Sequence, residues 1–241
     1  LKFAALIPAY NEAATIRAVA ERCLRQVDTL IVVDDGSGDG TADALAGLPL
    51  ILLRHTRNQG KAASLWDGFR AALELGADAV VTLDGDGQHL PEEIPRLAEA
   101  ARRHPERLVI GARLWDRAAF PSARYRANRF ANFWIGWAAG QRLEDSQSGF
   151  RVYPAALLRK LLARGRHAAG FVFESEVIID AAHLGHPSVP VPVSAIYRQD
   201  ARASHFHPAR DIARIVLMVA SKLLARGLYP AGLVRSLRRQ P

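Results

Sequence analysis

Between Phe3 and Gly111 short apolar runs alternate with stretches of helical periodicity, and this alternation limits the folds open to the chain more than any other feature. Residues 3–9, 29–33, 50–53, 79–83 and 108–111 read as strands. Between them residues 12–26, 39–46, 59–75 and 91–103 read as helices. The first places Ile16, Val19, Ala20, Cys23, Leu24 and Val27 on one face, and Gly76 closes the third. Strands joined in this way by helical crossovers make an α/β fold, a mostly parallel, Rossmann-like sheet with helices on both faces. In such a sheet ligands gather beyond the carboxyl ends of the strands.

Three of those ends carry chemistry. The first runs into Pro8-Ala9-Tyr10-Asn11-Glu12 and the second into Asp34-Asp35-Gly36-Ser37-Gly38-Asp39-Gly40-Thr41. The fourth runs into Asp84-Gly85-Asp86-Gly87-Gln88-His89. Two carboxylates one residue apart, such as Asp84 and Asp86, repel each other and lose hydration unless a cation lies between them. Mg²⁺ or Mn²⁺ suits such oxygen ligands and commonly takes only one or two protein carboxylates beside substrate phosphates. The alternative is a solvated acidic turn.

Several other activities are excluded by spacing. Gly36, Gly38 and Gly40 do not follow G-x-G-x-x-G and come after the second strand, so they are not a dinucleotide fingerprint. Gly60-Lys61 lacks the upstream glycine and the following Ser/Thr of a P-loop. The D-x-D-G nucleophile of a haloacid-dehalogenase-type phosphatase belongs after the first strand and before a threonine. Here it follows the fourth strand and meets Gln88.

The net charge of +8 is unevenly distributed. Residues 1–100 carry nine Lys/Arg against fifteen Asp/Glu, residues 101–142 nine against two, residues 143–197 five of each, and residues 198–241 nine against two. An acidic half is thus joined to two basic blocks, which attract phosphates or an anionic membrane. No finger spacing or aromatic RNA-binding pattern accompanies the arginines, so no nucleic-acid partner is expected. The single cysteine, Cys23, has no partner for a disulfide, which points to a reducing compartment.

Beyond Gly111 the alternation stops. Residues 113–129 are arginine-rich, and residues 130–140, with Trp134 and Trp137, are apolar but too short to span a bilayer. Residues 148–153 read as a strand, 154–163 and 173–182 as helices, and 189–197, with Pro190 and Pro192, as an edge strand. Residues 208–226 form an amphipathic helix with Ile212, Ile215, Val216, Val219 and Leu223 on one side. Lys222 and Arg226 interrupt its apolar run, so it is expected to lie on a membrane and not to cross it.

Taken together, PAYNE (8–12), VVDDGSGDGT (32–41), NQGKA (58–62), DGDGQH (84–89), GAR (111–113) and DSQSGFR (145–151) resemble family 2 glycosyltransferases of GT-A fold. They are most similar to the branch that acts on dolichyl and polyprenyl phosphates. The motifs run in the family order over residues 3–210. That branch often has Asp-Ala-Asp-Leu-Gln where this chain has DGDGQ, and the Q-x-x-R-W signature of processive synthases is absent. The resemblance implies a GT-A domain over residues 1–207, with a nucleotide-sugar half (1–112) and an acceptor half (113–207), followed by a basic amphipathic helix and tail (208–241). It implies inverting transfer of a hexose from a nucleoside-diphosphate sugar of the GDP-mannose or UDP-glucose type to a polyprenyl-phosphate lipid, with Mg²⁺ or Mn²⁺ as cofactor. The alternatives are transfer to another lipid or saccharide hydroxyl, or a nucleotidyltransferase on a similar sheet. The expected place is the cytoplasmic face of a membrane, held peripherally, with a membrane-protein partner or a second copy as further possibilities.

By the same resemblance Pro8, Tyr10, Glu12 and Asp35 line the nucleotide, Asp84 faces the donor sugar or ribose, and Asp86 and Gln88 hold the metal, with a late histidine, His205, as a further ligand. Glu12 is equally explained as a helix N-terminal charge and Asp35 as a turn carboxylate. Lys61 reaches the nucleotide or is solvated, and His89 caps the following helix in the simpler alternative. Arg113, Arg126, Arg129 and Arg151 are expected to clamp the acceptor phosphate, since arginine matches phosphate oxygens bidentately. An ion pair with Asp145 or Glu144 is the other option for Arg151. Asp145 would orient sugar or acceptor, or act as a base toward a hydroxyl acceptor.

Overall fold

A computed structural model describes residues 1–113, 122–165, 172–194 and 208–238. In chain order the elements are β1 (Phe3–Ala9), α1 (Ile16–Leu24), β2 (Thr29–Asp34), α2 (Thr41–Ala44), β3 (Ile51–Arg54), α3 (Lys61–Glu74) and β4 (Ala79–Thr82). A 3₁₀ turn at Pro91–Glu93 then leads into α4 (Ile94–Arg103) and β5 (Leu108–Ala112). The second part contributes α5 (Ser122–Ala139), β6 (Arg151–Pro154), α6 (Ala155–Arg164), α7 (Phe173–His183), β7 (Ser188–Pro192), α8 (Pro208–Leu224) and α9 (Pro230–Leu237).

Seven strands form one sheet in the order β3-β2-β1-β4-β6-β5-β7. β3, β2, β1 and β4 are mutually parallel, and β7 runs parallel to β5. The exception is β6, which lies antiparallel between β4 and β5. The sheet therefore draws strands from both sides of residue 113. Central strands are apolar on both faces because both faces are covered. Ala4 and Leu6 point into one core with α3, α6 and α7, while Ala5 and Ile7 point into the other with α1 and α4.

The registers Ala9↔Asp34 and Leu6↔Thr82 bring the ends of β1, β2 and β4 to one rim. The three motif-bearing loops thus become neighbours, as the alternation predicted.

The C-terminal segment departs from the expectation of one surface-lying helix. It folds as two helices, and α8 turns its Val219 and Leu223 into the core, with Ile215 half-buried beside them. Lys222, expected only to interrupt the apolar run, reaches back to Asp180 (2.7 Å) and Glu176 (3.1 Å) on α7. Part of the predicted membrane face is therefore core.

Candidate active site at the sheet rim

The β1 and β2 loops brace each other. Asn11, held at φ 55°, donates its amide to Ser37 Oγ (2.8 Å) and accepts from Gly38 N (2.9 Å); Glu12 N donates to Thr41 Oγ1 (2.8 Å). Gly36 sits at φ +72° with the Arg57 backbone where a Cβ would lie, so no other residue fits there. Asp35 is buried beneath this brace. Its carboxylate accepts from Gln59 N (2.8 Å) and Gly60 N (2.7 Å), holding the start of α3, and meets His55 Nδ1 at 2.7 Å. The other ring nitrogen of His55 faces Asp67 (3.1 Å). Three of about four carboxylate acceptor positions are filled, so Asp35 shapes the loop in the manner of the turn-carboxylate alternative.

Lys61, the first residue of α3, extends under the β4 loop. Its Nζ lies 2.6 Å from Asp84 Oδ1 and 2.9 Å from Glu174 Oε1, so it is ion-paired inside the cleft while its side chain stays 29% exposed. Burial favours the neutral amine, but Asp84 and Glu174 outweigh it and raise the Lys61 pKa well above the usual lysine value. Burial likewise pushes the Asp84 carboxyl up, yet Lys61 and then His89 bring it down to about 2. Asp86 moves the other way. Burial first, and then the Asp84 charge, hold it above the ordinary aspartate value against a hydrogen bond from Gln88 N. Gln88 closes over Asp86, its backbone N 2.9 Å from Oδ1 and its side-chain amide 2.7 Å from Oδ2.

His89 does not cap the following helix. It is buried against Phe150, and its Nδ1 accepts from Asp84 N (3.3 Å). Burial depresses its pKa to about 4, so the ring is neutral.

On the acceptor side Arg113 and Asp145 form a two-pronged pair, Nε to Oδ2 at 2.8 Å and Nη2 to Oδ1 at 3.2 Å, reinforced by Arg113 N. Gln147 N adds a further bond to Asp145. Arg151 departs from its expected place. It is 0% exposed, and its guanidinium donates to the carbonyls of Ser148 (2.7 Å), Glu174 (2.8 Å) and Ser146 (2.9 Å). No acid pairs with it among these bonds, and its fork is buried in the loop that it shapes. Arg126 and Arg129 are exposed on α5. Pro8 lines the cleft with Lys61, Asp84 and Glu174; His205 lies outside the described residues.

Two site residues escaped the sequence reading. Glu174 sits in an ordinary-looking first turn of α7, where acids are common, so no local signal marks it. Asn132 on α5 holds the acceptor loop by donating to Glu144 O and accepting from Ser146 N, both at 2.8 Å.

The family model for glycosyl transferase family 2 matches residues 4–165. This chain belongs to that family. Undecaprenyl-phosphate mannosyltransferase of Micrococcus luteus is 32% identical over 204 residues, covering 80% of this chain and 83% of the relative. The UDP-N-acetylglucosamine–dolichyl-phosphate N-acetylglucosaminyltransferase of Methanococcus voltae is 30% identical over 215 residues, with 80% and 85% covered. Among solved structures, glucosyl-3-phosphoglycerate synthase of Mycobacterium tuberculosis, crystallised with Mn²⁺, UDP-glucose and phosphoglyceric acid, superposes with a TM-score of 0.66 at 23% identity, covering 95% of this chain and 80% of that one. The family 2 chain is a glycosyltransferase, and the sheet is that of the GT-A fold.

Proposed function

We propose that this glycosyltransferase moves a hexose, with inversion, from a nucleoside-diphosphate sugar of the GDP-mannose or UDP-glucose type to a polyprenyl phosphate. The observation that carries the proposal is the state of Asp145. Both of its oxygens hold Arg113, and it is buried, so it is in no position to take a proton from a hydroxyl. A phosphate monoester, with a second pKa of about 6, needs no such base at neutral pH; it needs alignment and charge neutralisation. Arg113, held in one orientation by Asp145, serves the alignment, while its charge is already shared with that carboxylate. The relatives that act on undecaprenyl and dolichyl phosphate support the same acceptor class.

The rim fits a divalent cation. Among the described residues no three His, Cys, Asp or Glu side chains cluster in metal-binding fashion. Asp86 nevertheless presents a carboxylate whose charge is disfavoured by burial and then by Asp84, and would be favoured by a cation. Asp86 would hold Mg²⁺ or Mn²⁺, with the Gln88 amide turned to offer its oxygen and the remaining ligands coming from diphosphate and water. Such an ion acts as a Lewis acid on the departing diphosphate. Asp84 faces the donor, Pro8, Tyr10 and Glu12 line the nucleotide, and residues 1–112 and 113–207 act as donor and acceptor halves of one catalytic domain.

The acceptor lipid requires a membrane surface. No helix among the described residues is long and apolar enough to cross one. The packed helices α5, α8 and α9 instead expose Phe130 (62%), Leu217 (69%), Leu224 and Leu237, among exposed Arg126, Arg129, Arg226 and Arg235. Exposed apolar side chains and arginines on the same packed helices suit peripheral binding to anionic lipid on the cytoplasmic face. Incubation with labelled GDP-mannose or UDP-glucose, Mn²⁺ and polyprenyl-phosphate vesicles should yield lipid-soluble label. Label found only on water-soluble products, or on lipid hydroxyls, overturns the proposed acceptor.

A further inference from the structure

We infer that Glu174 is a positioning residue of the donor site, acting through Lys61 on Asp84, so that the two carboxylates of the DGD turn answer to different cations. Asp84 is matched by the built-in ammonium and Asp86 is left to the divalent ion. The inference rests on the transfer reaction proposed above and adds to it a residue from outside every motif that carries the family resemblance.

Four segments distant in the chain converge on the Lys61 ammonium. Asp84 comes from the end of β4, Glu174 from the first turn of α7, and Lys61 itself from the start of α3. The fourth is Gly149. A Cβ there would lie 3.0 Å from Asp84 Oδ2 and 3.2 Å from Lys61 Nζ, closer than side chains normally approach, and its φ is not in the left-handed region. A side chain at Gly149 would therefore press on the ion pair, and the glycine leaves that space open. Its carbonyl accepts from Thr82 Oγ1 at 2.7 Å, which fixes it against β4.

Glu174 is well suited to hold a neighbour still. It is 8% exposed, its carbonyl is gripped by Arg151, and the N-terminus of α7 favours its charge. An ammonium has three donors, and two are engaged by carboxylates from two distant segments of the chain. Without Glu174, Lys61 would follow Asp84 alone through the rotamers of a four-carbon chain. With it, Asp84 is pinned in one orientation toward the cleft. An ordinary first-turn acid would stabilise α7 without affecting donor recognition.

Steady-state kinetics of Glu174→Gln, Lys61→Met and the double variant separate these roles. Glu174→Gln should raise the donor KM about tenfold and leave the acceptor KM within about twofold. The double variant should be no worse than the worse single one, because the second residue acts through the first. Multiplying effects, or a lowered melting temperature with unchanged donor KM, overturn the inference. A second measurement needs neither sugar nor lipid. Titration of the protein with Mn²⁺ alone, followed by the electron paramagnetic resonance of the free ion, should show Lys61→Met binding about threefold tighter or more, since Asp84 loses its internal cation. Unchanged or weaker binding overturns the division of cations. If the wild type forms no lipid-linked sugar, the proposed reaction fails while this titration still decides the role of Lys61.

Discussion

The sheet rim and the α5–α8–α9 face treat charge in opposite ways. At the rim, acids outnumber bases in sequence, yet the key groups are neutralised within the fold: Lys61 between Asp84 and Glu174, Arg113 against Asp145, Asp35 under two backbone amides. On helices α5, α8 and α9 arginines, leucines and phenylalanines are exposed, while Lys222 turns inward and is paired with Glu176 and Asp180. A site that must hold a small charged ligand in one geometry needs its side chains fixed beforehand. A surface that meets lipid needs area and diffuse charge, which can stay mobile.

The contrast can be broken most severely at Arg151. If its buried fork is structural, Arg151→Ala strands three buried carbonyls and should lower the unfolding free energy by on the order of 4 kcal/mol, measured by urea denaturation. A stable variant with only a raised acceptor KM would return Arg151 to the phosphate. Next comes Asp86→Asn, which should reduce kcat by at least about a hundredfold with the melting temperature nearly unchanged. Full turnover of that variant in EDTA would remove the metal from the rim.

His89 tests how far the rim's burial goes. Its pKa falls from the ordinary 6.5 to about 4 in the fold, so the unfolded chain binds the proton first. Stability is fully present above pH 6.5 and should decline by about 3 kcal/mol as pH falls through 4. His89→Gln, which keeps an acceptor for Asp84 N, should flatten that part of the urea-stability profile; an unchanged slope would assign it to other groups. The smallest effect lies on the helical face. Leu217→Asp or Leu224→Asp should each weaken flotation with anionic vesicles by about tenfold, the value of one buried leucine, without altering the fold. Undiminished flotation would move the membrane contact elsewhere or assign the exposed leucines to a protein partner or a second copy.

What could be read from the chain alone was local. The alternation of 3–111 specified a mostly parallel sheet because side-chain periodicity is a property of neighbouring residues, and strand ends then had to collect on one rim. Asp84 and Asp86 announced themselves because adjacent carboxylates are costly wherever they occur. The antiparallel insertion of β6 between β4 and β5 was not legible, since nothing in Arg151–Pro154 states which strand it will join. Nor was the pairing of Lys61 with Glu174, the capture of Asp145 by Arg113, or the retreat of Arg151 into the loop. An arginine inside a motif looks the same whether it faces phosphate or three carbonyls, and a lysine at a helix start looks the same solvated or buried. Sequence determined which groups stand at the rim, because that follows from local periodicity. Tertiary structure alone decided which charges neutralise one another there, because the partners come from distant segments and their pairing depends on how close the fold brings them.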